Sequence, residues 1–208
     1  HPHLDASGRI AVVHNGIIEN FVVLRNELED EGVEMLSETD TEVVAHLVAR
    51  ELQTVPDLPE AVRRVCRRLE GAFTLVISDA QQPDVVVGAR RNSPLVVGRG
   101  EGENFLGSDV AAFIDHTRDA IELGQDQVVA ITADDVVVTG FDGEPAETTA
   151  FHVDWDVSAA DKGGFPWFML KEIDEQPKAV ADTLLGRHSA SGLLQLDEMR
   201  LTDDELRE

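Results

Sequence analysis

Two neighbouring residues, Asn15 and Gly16, could together stabilise negative charge on a reacting oxygen atom. A side-chain amide N–H and an adjacent backbone N–H can both donate to the oxyanion of an acyl transfer, and glycine lets a substrate approach the backbone closely. The pair follows His14 and a short apolar run, residues 10–13, that predicts a strand. Taken alone, an Asn-Gly pair after a strand is far more often a tight turn. Both interpretations are open at this point.

A second candidate is Asp40, in the stretch Thr39-Asp40-Thr41-Glu42. Thr39 and Glu42 have the spacing of a capping box, in which each side chain satisfies a free backbone N–H of the first helical turn. A carboxylate in the first turn is favoured by the helix dipole, which is the simpler explanation of Asp40. The functional alternative is a carboxylate that binds the ammonium group of a ligand.

The elements that must position these residues are helices first and strands afterwards. Apolar spacing predicts three helices, one capped by Asn20 and ended by Gly32, one beginning after Thr39, and one beginning near Pro59. Six short strands with brief connections follow, which favours antiparallel pairing and an α+β fold. The predicted strands cover residues 72–78, 84–89, 94–97, 104–106, 127–132 and 136–139.

The last part of the chain has a different character. Residues 168–184 show helical spacing, but proline lacks the N–H that a helix interior needs, so two helical pieces are expected to meet near Gln176-Pro177. Thr202 and Glu205 form another possible capping box. We expect one domain over residues 1–160 and an interdomain connection over residues 161–208. The alternative for this tail is a solvated helical edge.

Composition excludes several functional classes. There are 41 acidic and 17 basic residues and a formal net charge of −24, so nucleic acid and anionic lipid surfaces are poor partners. No apolar run approaches the about 20 residues needed to span a bilayer. The single cysteine, Cys66, suits a reducing cytosol. It lies on the apolar face of the third helix and is expected to be a core residue. His1-Pro2-His3 has no nearby carboxylate cluster, so a metal site is not expected.

Taken together, the motifs resemble those of the class II glutamine amidotransferases, hydrolases that use an N-terminal cysteine. The resemblance spans nearly the whole chain. Residues 171–177 are similar to the segment that, in some members, joins the glutaminase domain to a sugar-phosphate isomerase domain. The matching stretches are His14 to Asn20, Ser37 to Val43 with residues 45–47, Asn92 to Val96, Gly107 to Asp109, and Lys171 to Pro177.

The resemblance implies a fold and a role for individual residues. The fold is a four-layer α/β/β/α sandwich of antiparallel sheets, of the N-terminal nucleophile hydrolase type, followed by a helical linker. Asn15 and Gly16 correspond to the oxyanion hole. Asp40 corresponds to the acid that binds the α-ammonium of glutamine. His1 corresponds to a histidine of the loop around the glutamine site.

The implied function is part of an enzyme that makes glucosamine 6-phosphate and glutamate from fructose 6-phosphate and glutamine. The family's N-terminal cysteine nucleophile and most of the isomerase domain are not in this sequence, and Cys66 cannot replace that nucleophile. We therefore expect a segment of a longer, homo-oligomeric cytoplasmic protein, inactive by itself and needing no metal or organic cofactor. The alternatives are another class II amidotransferase, such as a purine-pathway or asparagine-forming enzyme, and a non-catalytic regulatory domain of the same fold.

Overall fold

The computed structural model describes residues 1–154 and 163–184. The chain divides into two compact units, His1–Trp155 and Asp156–Glu208. The first unit contains three helices, α1 to α3, and all ten described strands, and the second contains helix α4. The helices are α1 Phe21–Asp30, α2 Asp40–Glu51, α3 Leu58–Cys66 and α4 Phe168–Leu184.

The strands form two sheets in which every pairing is antiparallel. The larger sheet has six strands in the order β1-β2-β3-β4-β8-β9, and the smaller has four in the order β10-β7-β5-β6. The predicted antiparallel α+β architecture is confirmed. The strands are β1 His3–Leu4, β2 Ile10–Ile18, β3 Gly71–Asp79, β4 Val86–Arg91, β5 Val96–Arg99, β6 Asn104–Gly107, β7 Asp119–Glu122, β8 Gln127–Ile131, β9 Val136–Gly140 and β10 Thr149–His152.

Three apolar cores hold the first unit together as a layered sandwich. The largest lies between the helices and the six-stranded sheet, where Leu47 and Phe73 are fully buried. The second lies between the two sheets, where Val97 packs with Val129. The third lies on the far side of the smaller sheet, around Phe113. Burial of these side chains away from water supplies the main driving force for this layering.

The outermost layer of the sandwich is a 3₁₀ turn, Val110–Ala112. Val110 and Phe113 pack there against Val96 and Ala120. The predicted α+β sandwich of antiparallel sheets is confirmed, and on the outer face of the smaller sheet of the first unit the structure describes this 3₁₀ turn rather than an α-helix.

Strand β2 runs straight through the residues that were expected to form a turn. It pairs with β3 from Ile10 to Ile18, with Asn15 opposite Thr74 and Gly16 opposite Phe73. The prediction that the strand ends at Val13 is therefore wrong. Gly16 accommodates the strand with a φ of +128°, and a Cβ there would lie 2.1 Å from the carbonyl oxygen of Ala72. The glycine is needed because the neighbouring backbone occupies the space of a side chain.

Helix α2 begins at the predicted place, but its first turn is stabilised differently. Thr39 is the N-cap, and its hydroxyl accepts from the N–H of Thr41. Glu42 is only 3% exposed and does not return to Thr39. Its carboxylate accepts from the N–H groups of Leu36 at 2.7 Å and Ser37 at 2.6 Å, and from the Ser37 hydroxyl. Glu42 therefore fixes the loop before the helix, and the capping-box prediction is wrong in its partners.

The hydrogen bonds of Glu42 also determine its charge state. Burial by itself raises the pKa of this carboxyl, but hydrogen bonds from the Ser37 hydroxyl and the Leu36 and Ser37 backbone keep the pKa below its usual value. Glu42 is consequently an ionised carboxylate at neutral pH, in the position where loop and helix meet.

Helices α1 and α3 follow the predicted pattern. Asn20 occupies the N-cap position of α1, but its side chain bonds to Arg68 and Glu70 rather than to the helix, so the prediction that it caps the helix is wrong. Gly32 follows the helix with a φ of +88°. Cys66 is fully buried at the end of α3, and burial raises the pKa of its thiol to about 12. Its burial confirms the prediction that Cys66 is a core residue. A thiol with this pKa is also not a nucleophile at neutral pH.

In the second unit, α4 is continuous through Pro177. The predicted division into two helical pieces is wrong, because the helix tolerates the missing proline N–H at one position. The second predicted capping box, Thr202 to Glu205, lies outside the described residues.

Substitution of Gly16 by alanine is expected to destabilise the chain much more than the same change at Gly8. Gly8 also has a positive φ, +69°, but no atom lies within 4 Å of its Cβ position. Gly8→Ala should therefore cost about 1 kcal/mol of unfolding free energy, from backbone strain alone. Gly16→Ala adds a backbone clash and should cost at least about 3 kcal/mol. Urea unfolding measures both, and equal losses would contradict the close approach of Ala72.

Glu42→Gln is expected to lower the unfolding free energy by about 2 kcal/mol at pH 7, since it weakens charge-assisted hydrogen bonds to buried donors. The folded pKa lies below the unfolded value, so this stabilisation is present above about pH 4.5 and is lost as the pH falls. Urea unfolding at pH 7 and pH 3.5 should show the wild-type advantage shrinking. Glu38, exposed in the same segment, provides the control Glu38→Gln. A pH-independent difference would argue against this role.

Candidate functional site

The candidate site lies where the beginning of α2 meets strand β2. Asp40 is the first residue of α2, where the helix dipole favours negative charge. Its Oδ2 accepts from the backbone N–H of Ile18 at 2.8 Å, and 19% of its side chain is exposed. One carboxylate oxygen thus ties the helix to the strand, while part of the group still faces solvent.

The hydrogen-bond directions along β2 place Gly16 at the same edge as Asp40. Glu19 donates its N–H to Glu70, on the side of β3, whereas Ile18 donates to Asp40 on the other side. Successive N–H groups of a strand point to opposite sides. The N–H of Gly16 therefore points to the edge where Asp40 lies. Strand β1 pairs with β2 only at Ala11 and Val12, so it does not cover this stretch.

Asn15 occupies the exposed face of the strand. It lies between Val13 and Ile17, whose exposed fractions are 45% and 66%, and its own side chain is exposed. The helices cover the opposite face of β2, as the buried Val12 shows. The predicted pair thus consists of an exposed side-chain amide and a backbone N–H at the strand edge. Each of these two groups can donate a hydrogen bond to an anionic oxygen.

His14 lies on the covered face, beneath the first turn of α2. Its Nδ1 is 3.0 Å from Oγ1 of Thr41 and 3.7 Å from Oδ1 of Asp40. Burial lowers the pKa of this imidazole, and the negative charge of Asp40 offsets the effect only in part. His14 is therefore neutral at neutral pH and contacts the carboxylate as a dipole.

His1 is exposed, and its ring packs edge-on against His3 at 5.1 Å between ring centroids. Since β1 is antiparallel to β2 with His3 opposite Val12, His1 lies at the end of β1 nearer to His14. Its predicted role at the glutamine site stays a prediction.

The described residues contain neither a metal-binding cluster nor a membrane-spanning helix. No group of three or more His, Cys, Asp or Glu side chains that could hold a metal ion occurs among residues 1–154 and 163–184. In the same part of the chain, every helix is too short or too polar to cross a membrane.

His14 and Thr41 were not identified from the sequence as contacts of Asp40. A signal was available for His14. Ile10, Val12, His14 and Ile18 are all buried, with the period of two expected for one face of a strand. Extending that pattern past Val13 would have placed His14 toward the helices. Nothing local indicates the pairing of His14 with Thr41, because the two residues meet only in the folded chain.

Comparisons with known proteins show which sequences and folds this chain is similar to. A model of the glutamine amidotransferase domain family matches residues 1–115. The glutamine–fructose-6-phosphate aminotransferase [isomerizing] of Streptomyces coelicolor is 70% identical over all 208 residues, which make up 34% of that protein. The protein of the same name from Mycobacterium tuberculosis is 60% identical over the whole chain, again 34% of its length. The chain thus spans about a third of the length of these relatives.

Solved structures support the fold. The glutamine phosphoribosylpyrophosphate amidotransferase of Bacillus subtilis, complexed with ADP and GMP, has a TM-score of 0.55 and 24% identity, covering 67% of this chain and 30% of that one. An allosteric regulatory enzyme of purine biosynthesis has a TM-score of 0.56 and 23% identity, covering 68% and 30%. At such identities the likeness concerns the fold alone, while the family follows from the sequence match. The chain belongs to the glutamine amidotransferase domain family.

Proposed function

We propose that this chain is the glutaminase segment of a longer enzyme that makes glucosamine 6-phosphate and glutamate from fructose 6-phosphate and glutamine. The observation that carries the proposal is the 70% identity over the whole chain to a glutamine–fructose-6-phosphate aminotransferase. The match includes residues 171–177, which resemble the connection to the isomerase domain. In this proposal residues 1–160 form the glutaminase domain and residues 161–208 form the linker and the start of the isomerase domain.

Within the glutaminase reaction, Asp40 binds the α-ammonium group of glutamine. Charge-assisted hydrogen bonds between a carboxylate and an ammonium group are about twice as strong as neutral ones, so this contact fixes the orientation of the substrate. His1 is assigned to the loop beside the bound glutamine. The open edge of β2 then presents the side-chain amide of glutamine to the donors at Asn15 and Gly16.

The chemistry needs a thiolate that the complete enzyme supplies from its N-terminal cysteine. The thiolate attacks the carbonyl carbon of the glutamine amide, and the former carbonyl oxygen takes the negative charge. The side-chain N–H of Asn15 and the backbone N–H of Gly16 stabilise this oxyanion. The α-amino group of the same cysteine takes the thiol proton and passes it to the departing nitrogen, so the intermediate collapses with loss of ammonia to a thioester. Water then hydrolyses the thioester to glutamate and free thiol. The isomerase domain, which binds fructose 6-phosphate, receives the ammonia.

The same proposal includes the cellular location, the partners and the cofactor needs of the enzyme. A cytoplasmic enzyme with neither a nucleic acid nor a membrane as its partner fits the strongly acidic composition and the single buried cysteine. We also propose that the complete enzyme is a homo-oligomer. No metal or organic cofactor enters the glutaminase steps described above.

The complete gene distinguishes this proposal from its alternatives. A cysteine directly after the initiator methionine and a sugar-isomerase sequence after Glu208 are expected. Absence of the cysteine would favour a non-catalytic regulatory domain. A different synthase domain after Glu208 would indicate another class II amidotransferase.

Asn15→Ala in the complete enzyme is expected to lower kcat for glutamine hydrolysis by about 100-fold or more, the usual effect of removing one oxyanion donor. The measurement is glutamate release at saturating glutamine. Asn26→Ala, an exposed asparagine on α1, is the matched control and should leave kcat unchanged. An unaltered kcat in Asn15→Ala would show that the oxyanion assignment is wrong.

A further inference from the structure

Three side chains surround Oδ1, the second carboxylate oxygen of Asp40. Neither the contact with β2 nor the binding of an ammonium group accounts for them. Oδ1 lies 3.2 Å from Oγ1 of Thr39, 3.5 Å from Oγ1 of Thr41 and 3.7 Å from Nδ1 of His14. His14 and Thr41 are 3.0 Å apart and only 6% and 2% exposed. A buried imidazole therefore reaches the carboxylate through a buried hydroxyl.

The position of the imidazole proton decides the direction of these contacts. A proton on Nδ1 points the positive end of the N–H dipole toward the Asp40 carboxylate, whereas a lone pair there would face the same negative charge. With Nδ1–H donating to Thr41, the hydroxyl hydrogen of Thr41 is directed to Oδ1. If the imidazole proton is on Nε2 instead, the Thr41 hydroxyl donates its hydrogen to Nδ1 of His14. The Nε2–H is then buried without a hydrogen-bond partner.

We propose that His14 and Thr41 are positioning residues that hold Asp40 in its glutamine-binding orientation. The hydrogen bonds run from Nδ1–H of His14 to the Thr41 hydroxyl and from that hydroxyl to Oδ1 of Asp40. The inference rests on the proposed glutamine-binding role of Asp40 and adds two residues to it.

Such a network orients the carboxylate before a ligand arrives. The N–H of Ile18 binds Oδ2 at 2.8 Å, and the hydroxyls of Thr39 and Thr41 lie 3.2 Å and 3.5 Å from Oδ1, so rotation of the group is restricted. A carboxylate has about four acceptor positions, and the inward contacts leave positions open toward solvent. Because the side chain is already ordered, an ammonium group binds without the entropic cost of ordering it.

Two substitutions of Thr41 separate the hydroxyl from the shape of the side chain. Thr41→Val keeps the shape and removes the hydroxyl, while Thr41→Ser keeps the hydroxyl and removes the methyl group. In the complete enzyme, Thr41→Val should raise KM for glutamine about 10-fold, with kcat within about twofold of wild type. Thr41→Ser should stay within about twofold in both constants. Equal effects of the two variants, or a fall in kcat without a change in KM, would overturn the proposal.

His46 supplies a matched control for His14, since it is a buried histidine of α2, 5% exposed, that contacts Glu42 instead of Asp40. His14→Gln should raise KM for glutamine, and His46→Gln should not, although both should lower the unfolding free energy. If both variants raise KM equally, the effect of His14 is only structural.

Two further measurements distinguish failure of this inference from failure of the proposed function. Nitrogen-15 NMR of the 208-residue chain, labelled at histidine, should find the His14 proton on Nδ1, and a proton on Nε2 would overturn the network whatever the enzyme does. Asp40→Asn in the complete enzyme should raise KM for glutamine at least as much as Thr41→Val. An unchanged KM in Asp40→Asn would remove the glutamine-binding role itself and this inference with it.

Discussion

The hydrogen bond from the Ile18 N–H to the Asp40 carboxylate is the contact on which the rest of the site depends. It joins the positive end of α2 to an edge of β2 that β1 leaves uncovered beyond Val12. Because N–H directions alternate along a strand, the N–H of Gly16 points to the same edge of β2 as the Ile18 N–H that binds the carboxylate. The N–H of Gly16, which can bind an anion, and the carboxylate of Asp40, which can bind a cation, thus lie along the same edge of β2.

Around this contact, the hydrogen-bond donors and the acidic group lie in different environments. The side chain of Asn15 is exposed and the N–H of Gly16 points to the open edge of β2, and in the proposed function both donate to the oxygen that becomes negative during attack on the glutamine amide. The acid at Asp40 is partly buried and supported from within by Thr41 and the neutral His14. Glu42, in the first turn of the same helix, accepts from the backbone N–H groups of the preceding loop, so Asp40 is not needed for that contact.

Much of this could be predicted from local patterns, and the errors share one physical cause. The helices, the antiparallel sheets and the buried Cys66 follow from periodicity and turn residues, which act over a few positions. The continuation of β2 to Ile18 depends on β3, a nine-residue partner that is distant in sequence. The carboxylate of Glu42 accepts from backbone donors in the loop five and six residues earlier, contacts that the spacing of a capping box does not indicate. Short strands such as β10, with mixed and exposed side chains, carry almost no signal of their own.

The most direct test of this account is a crystal structure of the complete enzyme with its product glutamate bound. The α-ammonium of glutamate should lie within hydrogen-bonding distance of the Asp40 carboxylate. One oxygen of the γ-carboxylate should accept from the N–H of Gly16 and the side-chain amide of Asn15. An ammonium group bound elsewhere, with the edge of β2 empty, would contradict the account.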